Sequence, residues 1–278
     1  MRKTADLVKS GGSLLCRAKV LGILAVGGAL SAGPALGAEG DAWDIALGAG
    51  VVSLPKYPGS RARRTEPLPL ISLQYGRFFI GGVPGTGTPA GIGLYVYDDS
   101  HWKLGAAVSG DIIKPRKESD DSRHLRGLGD INGTVRGNVF ASYTLEWFTL
   151  RGSASYDLQD HHNREGLLGS IEAVARYSPL TKLTLSAGPS VTFGNRRYMQ
   201  TFFGIDALQS QRSGYAEFAP EGGMTSAGIS LGAGYSLSNH WIFAAHVALQ
   251  RLQGDAARSV IVENKNQNVY AVFTSYNF

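Results

Sequence analysis

One cysteine stands in 278 residues, Cys16, and it lies upstream of the longest apolar run. A lipoprotein acceptor would follow that run, so Cys16 cannot be one, and everything after it is free of thiols and disulfides. Such a chain can live in an oxidising compartment without making use of it. Long apolar runs are lacking as well. The longest, residues 20–30, has about 11 residues where a membrane-spanning helix needs about 20. Charge is sparse, at 18% of residues, and its excess is local. Residues 1–38 hold five of the 27 basic side chains (Arg2, Lys3, Lys9, Arg17 and Lys19) and one of the 22 acidic ones (Asp6), which leaves the remainder at a net +1. A basic patch that would bring in nucleic acid is therefore missing, and no nucleic-acid partner is expected.

What the first residues do contain is a charged start, a short apolar core and the small-residue exit Ser31-Ala-Gly-Pro-Ala-Leu-Gly-Ala38. That order reads as a secretory signal peptide, cleaved after Ala38 with Gly37 the second choice. The expected organisation is a signal peptide over 1–38 and one domain over 39–278.

Glycine is abundant, 37 residues, which suits a β-protein with many turns and closely approaching backbones rather than a helical bundle. From Trp43 onward the apolar residues recur with a period of two. Trp43, Ile45, Leu47, Ala49 and Val51 alternate with Asp44, Ala46, Gly48 and Gly50; Phe148, Leu150, Gly152 and Ala154 alternate with Thr149, Arg151, Ser153 and Ser155. Similar segments follow at 171–177, 183–193, 227–235 and 241–249, and earlier ones at 102–112 and 131–143. Those at 68–75, 78–83 and 92–97 are less regular: Pro67 and Pro69 belong near a strand start or bulge, and the facing of 92–97 stays open. The segments number 12, with ten as the alternative if 67–97 holds fewer crossings. Short turns (near Gly76, 98–101, 145–146, 178–181 and 236–239) alternate with long loops (54–66, 84–90, 113–130, 159–165, 194–224 and 252–267). Aromatics gather beside the short turns, as at a headgroup interface. An all-β, closed, antiparallel up-and-down transmembrane barrel satisfies every one of these features, and closure is required because an open sheet edge in hydrocarbon leaves backbone groups unpaired. The location that follows is the outer membrane of a Gram-negative bacterium.

The last segment, residues 268–278, alternates strictly and ends on Phe278. It resembles the closing strand of outer-membrane barrels, whose terminal aromatics, here Tyr276 and Phe278, are the signal read by the barrel-assembly machinery.

Four stretches resemble the MipA/OmpV family, outer-membrane proteins named for an MltA-interacting scaffold. They are Pro55-Lys-Tyr-Pro-Gly-Ser60 with Pro67-Leu-Pro69; His124-Leu-Arg-Gly-Leu-Gly129; Gly188-Pro-Ser-Val-Thr-Phe-Gly194 running into Tyr198-Met-Gln-Thr-Phe-Phe-Gly-Ile205; and Leu252-Gln-Gly-Asp-Ala-Ala-Arg-Ser-Val-Ile-Val262. In the last, Val260 stands where the family pattern usually has Pro. The third is the most specific, and its Tyr198, Met199, Phe202, Phe203 and Gly204 mark a family loop expected to form a plug or short helix over the lumen. The resemblance implies a non-enzymatic scaffold holding a murein hydrolase, a lytic transglycosylase, together with a peptidoglycan synthase. Other members are porin-like or adhesion-related, so a narrow channel for small solutes or antibiotics, or a surface adhesion protein, is the alternative.

Candidate chemistry is thin. Asp160-His161-His162 could touch a divalent metal, but adjacent histidines point apart and no second cluster completes a site. His246 faces inward with Ser109 and Ser230, without an acid or amide to orient it, so inward polarity reads as lumen hydration. Accordingly no catalytic residue, cofactor or metal is expected. Loop cations including Arg61, Arg63, Arg64, Lys114, Arg116, Lys117, Arg123, Arg126, Arg196 and Arg197 could meet lipopolysaccharide phosphates. Inward Arg136, Arg151, Arg176, Glu172 and Asp157 are expected to pair across the lumen and fill it.

Overall fold

The computed structural model describes residues 43–88, 90–111, 115–159 and 166–278. Residues 1–42, with the expected signal peptide, and Ile112, Lys114 and the Asp160-His161-His162 cluster lie outside them. Twelve strands run through the described residues: β1 (Trp43–Pro55), β2 (Arg63–Tyr75), β3 (Phe78–Gly81), β4 (Gly91–Asp98), β5 (Trp102–Gly110), β6 (Val135–Leu145), β7 (Phe148–Asp157), β8 (Leu167–Leu180), β9 (Leu183–Gly194), β10 (Gly223–Ser236), β11 (Trp241–Leu252) and β12 (Asn266–Asn277). Each is hydrogen-bonded to its neighbours in sequence, and β12 returns to β1 to close the barrel. The expected count of 12 holds, and the ten-strand alternative falls.

Alternation has its physical cause in the two solvents of a barrel wall. Along β11, Ile242, Ala244, His246 and Ala248 are buried inside while Trp241, Phe243 and Leu249 are exposed outward. Ile92, Val139, Ile171 and Val272 are also at least half exposed, an apolar outer band that only lipid can cover.

The closing seam pairs Leu47 with Tyr276, Ala49 with Thr274 and Val51 with Val272. Glycine is needed there: a Cβ on Gly48 would stand 2.3 Å from the Thr274 carbonyl oxygen, and one on Gly50 would stand 2.5 Å from the Phe273 Cβ.

The irregular segments now have explanations. Pro67 and Pro69 pair with Val51 and Ala49 of β1, but β3 joins β2 only from Leu73 onward. The prolines therefore occupy a stretch with a neighbour on one side, where a missing N–H costs no ladder bond. In β4 the register shifts between Tyr95 and Tyr97. The bulge lets Val96 and Tyr97 both face outward, which is why no single parity fits 92–97. One expectation is corrected. Ile131 is not an outward strand residue: β6 begins at Val135, and Ile131 forms an isolated bridge to Arg116. Its side chain is 5% exposed and packed among other loops, an apolar contact that a strand position at the loop end could not give it.

Candidate functional site in the capped lumen

The barrel's long-loop end is closed by its own small core. The stretch after β9 folds into α1 (Arg196–Phe203) and α2 (Ala207–Ser213). Asn195 caps α1 by accepting from the Tyr198 N–H at 2.8 Å, and Asp206 caps α2 through a capping box with Gln209. On α1, Met199, Phe202 and Phe203 are buried against Ile131, Leu252 and Ala256. Beside them Tyr57, Leu125, Leu128, Ile205 and Ile261 form a second cluster. Residues of four loops thus meet in one cap. Polar ties fix it: the Ser259 hydroxyl donates to the Phe203 carbonyl at 2.6 Å, the His124 Nε2 to the Ile261 carbonyl at 3.0 Å, and the Gln209 amide to the Leu128 carbonyl at 2.8 Å. The Tyr57 hydroxyl donates to Glu263 at 3.2 Å, and burial together with that carboxylate pushes its pKa up. Burial pushes Tyr198 up to about 12, so its phenol stays a neutral donor.

The expected helix over the lumen is there, and Gly204 ends it, its N–H donating to the Gln200 carbonyl at 3.0 Å. A second loop escaped the sequence. Residues 82–88 fold inward, with Val83 fully buried against Phe79, Ala107 and Phe140. The Gly85 carbonyl accepts from both Ser153 of β7 and Ser170 of β8 at 2.7 Å each. A loop between β3 and β4 is thereby latched to a distant part of the wall.

The inward charges do not pair across the lumen as expected; they pair along the wall, between neighbouring strands. Arg151 meets Glu172 at 3.3 Å, and Arg136 meets Asp157 at 3.4 Å and Asp111 at 3.5 Å. Ser230 donates to the other oxygen of Glu172 at 2.9 Å. Residues opposite in register need no reach, whereas crossing the lumen would demand it. Part of the remaining volume is filled from the other side by the Phe79, Tyr95 and Phe140 rings, 5.1–5.9 Å apart, and by Val52, Leu68, Leu70 and Phe273. His246, Ser109 and Ser230 are buried inward, and the His246 Nε2 meets no hydrogen-bond partner among the described residues.

Between the cap, the latched loop and the polar wall lies a cavity of about 490 Å³. Of the loop cations, Arg116 is 2% exposed and Arg64 lines this cavity, so neither stands at the outer surface. Arg196 is exposed beside Glu221, 3.7 Å away, and Arg61, Arg63, Arg123 and Arg126 are exposed.

At the short-turn end, rings line the outside. Trp43 stacks near Tyr75 at 4.9 Å, Trp102 near Tyr143 at 4.8 Å, and Trp241 near Tyr276 at 5.2 Å. Tyr276 and Phe278 lie within this belt, 4.9 Å apart, and the Phe278 N–H donates to the Ile45 carbonyl at 3.0 Å.

A family model for the MltA-interacting protein MipA matches residues 47–278. The chain belongs to the MipA family. YiaT, named as an outer membrane protein in Escherichia coli (strain K12), is 21% identical over 241 residues, spanning 87% of this chain and 94% of that one. Among solved structures, the NanC porin is similar with a TM-score of 0.42 at 10% identity, covering 85% of this chain and all (100%) of that chain. OmpT of Vibrio cholerae follows at 0.40 and 8%, covering 85% and 97%. This MipA-family protein is an outer-membrane β-barrel of a Gram-negative bacterium, and barrels of that kind carry their short turns on the periplasmic side and their longer loops outside.

Proposed function

We propose that this MipA-family barrel is a non-enzymatic scaffold whose periplasmic rim docks a murein hydrolase and a peptidoglycan synthase. The observation that carries the reading is the obstructed lumen: a packed cap, an inward latched loop and an interior narrowed to one described cavity of about 490 Å³ are the opposite of a wide diffusion channel, so activity falls to the barrel's surfaces. The family's description as MltA-interacting points the same way. A stable interface takes about 800 Å² from each partner. Single turns such as residues 76–77 or 181–182 cannot supply that, so docking joins several turns, the aromatic belt and residues 39–42 left after signal-peptide cleavage at Ala38. Tyr276 and Phe278 serve the assembly machinery during insertion, and exposed Arg61, Arg123 and Arg126 meet lipopolysaccharide phosphates on the other side. The family segment Tyr198, Met199, Phe202, Phe203 and Gly204 serves as the lid that keeps the barrel shut.

The test is photocrosslinking in the cell from Ser100 and Asn239 on the rim, with Leu208 on the cap for comparison. Leu208 is 51% exposed. Recovery of a cell-wall hydrolase or synthase from the rim positions alone supports the scaffold. Rim positions that capture only assembly factors, with surface partners at Leu208, replace it with an adhesion role. Large, steady single-channel currents replace it with a narrow channel.

A further inference from the structure

The polar wall of the lumen is organised in rows. In register across the strands, Ser153 of β7 faces Ser170 of β8, Ser170 faces Thr192 of β9, and Thr192 faces Ser226 of β10. One step toward the periplasm, Glu172 faces Ser190, Ser190 faces Gly228, Gly228 faces Gln250, and Gln250 faces Gln267. Both rows line the 490 Å³ cavity, except that Gly228 leaves a notch between Ser190 and Gln250. Among the described residues, the side chains of Ser190, Thr192, Ser226 and Gln250 enter no hydrogen bond with one another or with their neighbours, although each is at least half buried or intermediate in exposure. Four hydroxyl and amide groups thus present donors and acceptors to one volume.

The opposite boundary is of a different kind. Tyr198, Phe202 and Phe203 of the cap reach the cavity, as do Leu68 and Val269. The charged groups of the strand wall are already engaged, Arg136 with Asp111 and Asp157, Glu172 with Arg151 and Ser230, while Arg64 and Lys56, the latter donating to the Asp120 carbonyl at 3.1 Å, stand at the loop edge of the cavity, away from the hydroxyl rows. What is left for a ligand is neutral hydrogen bonding on one side and apolar and aromatic surface on the other. A saccharide ring has that division, with hydroxyls around its rim and C–H groups on its faces, and the volume falls within the usual range for small-molecule sites, about 300–1,000 Å³.

We propose that the cavity beneath the cap binds an uncharged polyhydroxylated solute of one or two sugar rings, held by Ser190, Thr192, Ser226 and Gln250 under the α1 aromatics. The site is separate from the periplasmic docking rim and stands or falls independently of it.

Saturation-transfer NMR on the detergent-folded protein tests this, with sucrose as the probe and glucose 6-phosphate and glucosamine as charged comparators. Sucrose is expected to bind in the millimolar range with the strongest transfer at its C–H protons. Ser190→Ala and Gln250→Ala should each weaken it about two- to tenfold, the loss of one neutral hydrogen bond. Thr192→Val removes a hydroxyl without changing shape, so it decides the matter if either alanine variant fails to fold, as judged by heat-shifted gel mobility. Absence of sucrose binding, binding unchanged by all three substitutions, or binding of glucose 6-phosphate alone, which would place an anion at Arg64 and Lys56, overturns the proposal.

Discussion

Tyr57 and Phe203 at the outer end are almost fully buried, while Trp43, Trp147 and Tyr177 at the periplasmic end are more than 60% exposed. Both sets are large and apolar. They differ in what covers them: loops outside, where each long connection can fold back on the others, and lipid headgroups inside, where the turns are too short to cover anything. The cap is therefore a folded unit with its own core, resting on the barrel. Among the described residues, the periplasmic end has no core beyond the wall, and its rings are left to the bilayer. Position in the topology, and not residue type, settles which fate an aromatic meets.

The sharpest way to break this contrast is to remove a matching ring from each end. Phe203→Ala takes a side chain that is 1% exposed out of the cap. It should cost about 3–5 kcal/mol of cap stability, seen as rapid proteolysis of residues 195–222 from the surface of intact cells. The heat-shifted mobility of the barrel should survive. Trp147→Ala, at 63% exposure, should leave the cap protected. Equal sensitivity of the two would mean the cap is not an independent core.

The wall between the ends supplies the next test. Val139→Arg and Val247→Arg put charge on the lipid face near mid-membrane and should each cost about 2–4 kcal/mol or block assembly. Gln250→Arg, three positions further along β11 toward the cap and facing the cavity, should assemble. Folding yields into lipid vesicles compare the three, and a failure of Gln250→Arg equal to the others would sink the assigned facing.

Smaller still is the effect of releasing the inward loop. Ser153→Ala with Ser170→Ala removes both donors to the Gly85 carbonyl, each bond contributing about 0.5–1.5 kcal/mol. The wild type should conduct little in planar bilayers, and the double variant should show brief openings as residues 82–88 leave the lumen. A wild-type trace as open as the variant's would show that the latch does not close the barrel.

The wall was legible because lipid outside and a lumen inside impose a period of two on every crossing, and the aromatic belt marked one end of each hairpin. The exceptions have local causes: the one-residue bulge at Val96 reverses the parity, and the short β3 leaves Pro67 and Pro69 without a second neighbour. The cap was far less legible. Tyr198 to Gly204 could be singled out through the family motif, but Ile131 looked like a strand residue and Arg116 like a surface cation, since both are buried by residues distant in sequence. Loop packing has no period. Nor did anything mark Gly85 as an acceptor for two serines; only the Gly-Thr-Gly-Thr run, able to approach a wall closely, hinted that residues 84–88 could turn inward.

The smallest expected effect lies in how the cap responds to acid. The Asp121 carboxylate accepts from the backbone N–H of His124 at 3.1 Å and of Arg123 at 3.2 Å, and these bonds, His124 foremost, hold its pKa below the ordinary carboxylate range. A depressed folded-state pKa contributes stability that is present above the unfolded value, about 3.9 for Asp, and is lost as pH falls through the folded value. The turn ending in Leu125, whose N–H donates to the Asp121 carbonyl at 2.8 Å, should therefore hold at neutral pH and loosen only in strong acid. The amide resonance of Leu125 reports this directly, and its midpoint should fall below that of an ordinary aspartate. Asp121→Asn should flatten the titration while the barrel's resonances stay in place. The periplasmic turn has a similar device, with Asp99 accepting from the N–H groups of Trp102 and His101 at 2.6 and 2.8 Å and its pKa lowered, chiefly by Trp102. There the loss should stay confined to residues 98–102, because no loop core packs on that turn. In the cap, Leu125 ties Asp121 to the Tyr57 and Ile261 cluster, so the same protonation should be felt three loops away.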